Sequence, residues 1–253
     1  MSGARDAGAA RPAVALSLVV PAYDEVENLR PLHERVRDGL GDGLAWELVL
    51  VDDGSHDDSW QVMQELARAD RRVRCVRMRR NSGQSAATFA GLWAARGALL
   101  ATMDADLQND PADLPRMLAE LGEHDAVVGY RLRRQDSAVR RASSWIANRV
   151  RNAISGDRIR DTGCALKLFR RDAVLSLPVF DGAHRFLPTL LRYRGFSVVE
   201  HPVSHAPRVR GASKYGIRNR ALRAFLDLLA VRWMRSRMLY LPELVDDGQE
   251  VAP

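Results

Sequence analysis

The chain reads as an α/β domain of three layers, a mostly parallel central sheet covered by helices on both faces. Two observations predict this. Short apolar runs rich in β-branched residues recur between residues 14 and 130, each bounded by turn chemistry, and helical spacing fills the segments between them. The runs are apolar almost throughout rather than alternating, as strands buried on both faces must be.

The elements follow in order. Residues 14–20 (VALSLVV) and 46–51 (WELVLV) are the first two strands, and 28–40 between them has helical spacing that closes with Gly39 and Gly41. Asp57 can cap a helix running to about Ala69. Residues 72–78 form a third strand and 84–95 a third helix, whose Ala87, Gly91 and Ala94 or Ala95 make a stripe that permits close backbone approach. A fourth strand covers 98–104, Pro111 opens a helix to about Leu121, and 125–130 is a fifth strand. Beyond residue 130 the alternation fades. Helical spacing covers 138–154 and 184–194, and 164–169 and 196–203 have strand character. Residues 1–13 are expected to be disordered, 14–216 to form the main domain, 217–241 a basic helix and 242–253 a loose acidic tail.

At 253 residues the chain can bury a sizeable core, and its 46% hydrophobic and 28% charged content is ordinary for a globular protein. The two cysteines, Cys75 and Cys164, suggest neither a metal site nor a disulfide framework. No apolar signal region begins the chain and no 18-residue apolar window occurs, so a cytoplasmic location without a membrane-spanning helix is expected. Charge is unevenly placed. Residues 1–130 hold 14 basic and 21 acidic side chains, whereas 131–241 hold 24 basic and 7 acidic. The basic half implies an anionic partner: acidic headgroups, phosphorylated substrates or nucleic acid. Aromatic content of 6% and the lack of a helix-turn-helix pattern disfavour nucleic acid.

Ligands of such sheets sit beyond the carboxyl ends of the strands. The polar segments fall there: PAYDE after the first strand, DDGS after the second, RRNSG after the third and DADLQND after the fourth. Asp104 and Asp106, two carboxylates at i and i+2, can share a hard cation such as Mg²⁺ or Mn²⁺, and the Gln108 amide oxygen is a ligand of the same kind. Asp53 can accept from a base or ribose with Gly54 allowing close approach, or the segment is simply a turn. Tyr23 can stack on a base and Glu25 accept from it. Together these make a nucleotide-diphosphate site. A nucleotidyltransferase is disfavoured because residues 14–30 hold no glycine.

In order and spacing, LVVPAYDEVENL, VDDGSHDDS, RRNSGQSAATFAGLWAARG and MDADLQNDPADLP resemble the family 2 inverting glycosyltransferases of the GT-A (Rossmann-like) fold. GYRLRR, DTGCALKLFRR and RVRGASKY resemble its dolichol-phosphate mannosyltransferase and undecaprenyl-phosphate sugar transferase branch. The resemblance covers about residues 16–240. It implies that Pro21, Tyr23, Glu25, Val51 and Asp53 hold the nucleoside of a nucleotide-sugar donor, and that Asp104, Ala105, Asp106 and Gln108 hold metal and diphosphate. Arg131 would lie near the transferred group and the phosphate of a polyprenyl phosphate acceptor, with Arg140 or Arg141 beside it. Arg208 and Lys214 would close a loop over the donor phosphates.

A phosphate acceptor is already ionised and needs cationic positioning rather than a strong base. For a hydroxyl acceptor, as in a polysaccharide-building enzyme, Asp161 is the best base; its alternative reading is a turn residue. Within 217–239, Leu222, Phe225, Leu226, Leu229, Trp233 and Met234 follow helical spacing among Arg218, Arg220, Arg223, Arg232, Arg235 and Arg237. That pattern suits either a peripheral contact with an anionic membrane or a helix packed on the domain.

Overall fold

Leu16–Ala22 (β1) and Trp46–Asp52 (β2) run parallel near the middle of a seven-stranded sheet, paired from Leu16 with Trp46 to Ala22 with Asp52. The computed structural model describes residues 14–131, 149, 151–207, 217–238, 244–246 and 249–251. The other strands are Val73–Arg77 (β3), Leu99–Thr102 (β4), Ala126–Arg131 (β5), Lys167–Arg170 (β6) and Val198–Val203 (β7), in the order β3-β2-β1-β4-β6-β5-β7. All run the same way except β6, which lies antiparallel between β4 and β5. The sheet is therefore mostly parallel, as expected. That 164–169 would insert one reversed strand between the fourth and fifth was not legible, since strand polarity leaves no mark on hydrophobic pattern.

Helices Val26–Leu40 (α1), Ser59–Ala69 (α2) and Leu114–Leu121 (α4) cover one face, and Gln84–Ala94 (α3), Ala183–Tyr193 (α6) and Ile217–Arg237 (α7) the other. A short helix, Arg171–Leu175 (α5), follows β6. Strand alternation divides the core: Leu16, Leu18 and Val20 of β1 join the cluster of Leu29, Leu32 and Met63, while Val19, Val49 and Val51 join that of Phe89, Leu92 and Leu190. The small-residue stripe on α3 has a specific use. A Cβ on Gly91 would fall 2.3 Å from Val19 Cγ1 and 2.8 Å from Val51 Cγ2. Gly91→Ala is thus expected to cost about 1–3 kcal/mol through overpacking, read as a lowered urea midpoint with unchanged slope.

Boundaries moved by a few residues. The Asp57 expectation changes in kind: Asp58 holds the cap position of α2, and the Asp57 carboxylate accepts from the N–H groups of both Ser59 and Val26, tying the starts of α1 and α2 together. Pro111 opens a 3₁₀ turn, Pro111–Asp113, with the Asp110 side chain accepting from Ala112 N, before α4 begins. Of the helix expected at 138–154, most lies outside the described residues, while 151–155 is helical. Among the described residues of the tail, Leu244–Asp246 (β8) and Gln249–Val251 (β9) pair antiparallel. The Asp247-Gly248 pair between them is a strong hairpin signal that the acidic composition obscured.

Candidate active site

Four strand ends meet through hydrogen bonds between their loops. After β1, Asp24 takes a left-handed backbone (φ 51°), donates its N–H to Ser55 Oγ (3.0 Å) and accepts from His56 N (2.7 Å). Glu25 N donates to Ser59 Oγ (2.9 Å), and its carboxylate accepts from Asn28 Nδ2. Tyr23 meets the His56 ring edge-on at 6.0 Å. The first motif is thus fastened to the second.

The second is fastened to the third by Asp53. Its carboxylate accepts from Ser82 N (2.7 Å) and Gly83 N (2.9 Å), immediately before α3. Burial pushes the Asp53 carboxyl up and the neighbouring Asp52 charge adds to this, while the two backbone N–H groups pull it down. Gly54 has φ 72°, and a Cβ there would fall 2.6 Å from backbone atoms of Arg80 and Asn81. The glycine thus permits close approach of the protein's own RRNSG loop, and it also borders the cleft. Val51 is fully buried in the core against Gly91 of α3. A cleft of about 590 Å³ opens between these loops, bordered by Gly54, His56, Arg77, Arg79, Arg80 and Asn81. Its lining includes no residue of the Asp104–Asp106 loop.

The third motif reaches the fourth through Gln84, whose Nε2 donates to Asp104 Oδ1 (2.8 Å). Sequence reasoning did not single out Gln84; its place at the start of α3 was the available signal. Asp104 lies two residues past β4. Ala105 and Asp106 are buried, and Asp106 Oδ1 accepts from Gln108 N at 3.3 Å. Leu107 turns the loop with φ 62°, and its carbonyl accepts from Arg35 Nη1. Gln108 and Asn109 bind residues 205–206: the Gln108 carbonyl accepts from Ala206 N (2.9 Å), its side chain donates to Ala206 O, and Asn109 bridges to His205. This loop is pinned at both ends.

On the other side, the structure brings together Arg131, at the end of β5, and Asp161. Arg131 Nε lies 2.6 Å from Asp161 Oδ2 and Nη2 lies 2.9 Å from Oδ1, a bidentate pair with both side chains largely buried. Gly163 N also donates to Asp161 Oδ1. Thr102 Oγ1 donates to Ala165 O, joining this turn to the strand that carries the D-x-D loop. Lys167, directly below, is almost fully buried between Thr102 and Val128 of the neighbouring strands, and burial pulls its ammonium pKa down. Its signal in the sequence was a single charge within the apolar run ALKLF. Arg140, Arg141, Arg208 and Lys214 lie outside the described residues.

The chain resembles proteins already characterised. It is 42% identical over 223 residues to a dodecaprenyl-phosphate galacturonate synthase of Rhizobium johnstonii, covering 85% of this chain and 66% of that one. To an undecaprenyl-phosphate 4-deoxy-4-formamido-L-arabinose transferase of Salmonella typhimurium it is 38% identical over 209 residues, covering 81% and 64%. The chain therefore spans slightly less than two thirds of the length of these relatives. Among solved structures, a mannosyltransferase of Pyrobaculum calidifontis in complex with GDP-Man and Mn²⁺ superposes with a TM-score of 0.65 at 20% identity, covering 90% of this chain and 65% of that one. Glucosyl-3-phosphoglycerate synthase of Mycobacterium tuberculosis, with Mn²⁺, UDP and phosphoglyceric acid, also gives 0.65 at 20% identity, covering 88% and 78%. These are GT-A folds, and the expected fold class holds. The model of glycosyl transferase family 2 matches residues 17–177, and the chain belongs to that family.

Proposed function

We infer that this chain transfers a sugar, with inversion, from a nucleotide-diphosphate sugar to a polyprenyl phosphate. Its relatives named for dodecaprenyl and undecaprenyl phosphate support the acceptor. The observation that carries the reading is the Arg131–Asp161 pair. The best base candidate for a hydroxyl acceptor has both carboxylate oxygens engaged by a guanidinium. Asp161 is therefore a positioning residue, and the site is built for an acceptor that arrives already ionised.

Asp104 and Asp106, with Gln108, would hold Mg²⁺ or Mn²⁺. The donor set fits: two carboxylates and an amide, all hard oxygens, on a loop pinned at both ends. Among the described residues no three or more His, Cys, Asp or Glu side chains gather as a complete metal site. That suits ions which take one or two carboxylates and complete their shell with water and substrate phosphates. When bound, the cation supplies Lewis-acid stabilisation of the charge left on the nucleoside diphosphate. The chain's residues do the remainder. Tyr23, Glu25 and Asp53, with Pro21 beside them, would orient the nucleoside; Arg131, joined by Arg140 or Arg141, would receive the acceptor phosphate; Arg208 and Lys214 would cover the donor phosphates.

Helix α7 supports a peripheral membrane contact on the cytoplasmic face. It packs on the domain through Leu228 and Val231, and Arg235 lies over the Tyr193 ring. The stripe Phe225, Leu226, Leu229 and Trp233 points outward, with Trp233 62% exposed. Among the described residues no helix is long and apolar enough to cross a membrane. Trp233→Ser with Leu226→Ser is expected to reduce binding to anionic vesicles severalfold and to leave binding to neutral vesicles weak, as measured by co-sedimentation.

The test of the main reading supplies the full chain with labelled UDP- and GDP-sugars, Mn²⁺ and polyprenyl phosphate. Label entering organic solvent only when the lipid is present is the expected result. Transfer to a saccharide hydroxyl alone would select the polysaccharide-building alternative instead.

A further inference from the structure

Two buried cations lie behind the acceptor side and have no part in the chemistry above. Arg151 is 9% exposed, and its guanidinium donates to the carbonyl of Ile159 and to Thr162 Oγ1. Lys167 is 3% exposed, and its ammonium donates to the carbonyl of Cys164. These three acceptors bracket Asp161, which itself accepts from Gly163 N. Burying a full charge to satisfy a backbone carbonyl is strongly unfavourable when a neutral donor would serve. Here the charges face a particular set of groups. Arg151 is attracted to Asp157, Asp161 and Glu200. Lys167 is attracted to Asp104 and Asp161 and repelled by Arg131.

We propose that Arg151 and Lys167 are positioning residues that suspend the 159–164 turn between them, so that Asp161 holds the Arg131 guanidinium in the one orientation that receives the acceptor phosphate. The proposal rests on the lipid-phosphate reading above. It assigns a role to residues on 151–155 and β6, of which Arg151 faces the turn alone and Lys167 also stands beside the strand that carries the Asp104 loop. Lys167 lies between the two halves of the site and acts on the acceptor half.

Three variants test it. Thr162→Val removes one anchor while leaving both buried charges in place, Arg151→Lys keeps the charge and loses the fork, and Lys167→Met removes the ammonium at similar volume. Each is expected to lower kcat/KM for polyprenyl phosphate by about 10- to 100-fold, the usual consequence of a small misplacement. For Thr162→Val and Arg151→Lys, affinity for UDP or GDP with Mn²⁺, read by calorimetry, stays within about threefold of the parent, because binding confined to the donor half is not coupled to this turn. In a cycle with Asp161→Asn, Thr162→Val adds little further loss, as residues acting through one another should. Should Lys167→Met fail to fold, the other two variants decide. The same cycle read by urea midpoints needs no substrate: non-additive shifts support the clamp even if the parent proves inactive on lipid phosphate, an outcome that would fault the activity reading alone. Additive shifts, or nucleotide–Mn²⁺ affinity falling in step with acceptor turnover in Thr162→Val and Arg151→Lys, would overturn the proposal.

Discussion

Asp106→Asn is expected to lower sugar transfer by about 10²–10³-fold, the typical loss when one charge-stabilising group is removed from a transition state, while the unfolding transition stays close to that of the parent. The reasoning starts from the loop. Asp106 is buried at 7% exposure, and its Oδ1 accepts a backbone N–H from Gln108. Asparagine keeps the shape and can keep that hydrogen bond through its own oxygen, so what it removes is the negative charge. A hard cation that draws only one or two ligands from protein then loses one of its two carboxylates. Calorimetry with nucleotide and Mn²⁺ should show the weakened binding directly. A chelator added to the parent enzyme should reproduce the loss. Turnover that survives both treatments would refute the role given to this loop.

The second large effect concerns Arg131. Truncation to alanine leaves Asp161, whose side chain is only 13% exposed, without its bidentate partner. An uncompensated buried charge of this kind costs about 3–5 kcal/mol, so Arg131→Ala should both destabilise the chain and abolish use of the acceptor. Arg131→Lys separates the two effects. The positive charge remains and most stability should return, but one ammonium cannot present the planar fork that spans both oxygens of Asp161. Polyprenyl phosphate saturation should then shift to higher concentration, about tenfold or more for a lost charge-assisted bidentate contact, with nucleotide–Mn²⁺ affinity unchanged. A lysine variant with parental acceptor saturation would mean that the fork geometry is irrelevant.

The placing of the polar loops at the strand ends was legible because its information is local. A strand followed by PAYDE, DDGS or DADLQ places those residues at a carboxyl end whatever the rest of the chain does, and parallel strands put all such ends on one side. The stripe on α3 was equally readable, since the need for a small side chain at Gly91 follows from helix period. Gly54 shows where such reading stops: that glycine was needed was evident, but the chain it makes room for is 26 residues away, at Arg80. Gln84 was overlooked for a related reason, as an amide at a helix start has many ordinary explanations until Asp104 is seen 2.8 Å from it.

By itself, the sequence determined the layered α/β architecture, the family and the placing of Asp53, Asp104 and Asp106 just past strand ends, because hydrophobic period and strand-end position act over a few residues. Only the tertiary structure decided that β6 runs backwards between β4 and β5, bringing Lys167 under the site and the 161–164 turn against Arg131. Such pairings join residues 30 or more positions apart, and the energies that select them come from register, burial and charge complementarity in the assembled sheet, none of which is written in the local pattern.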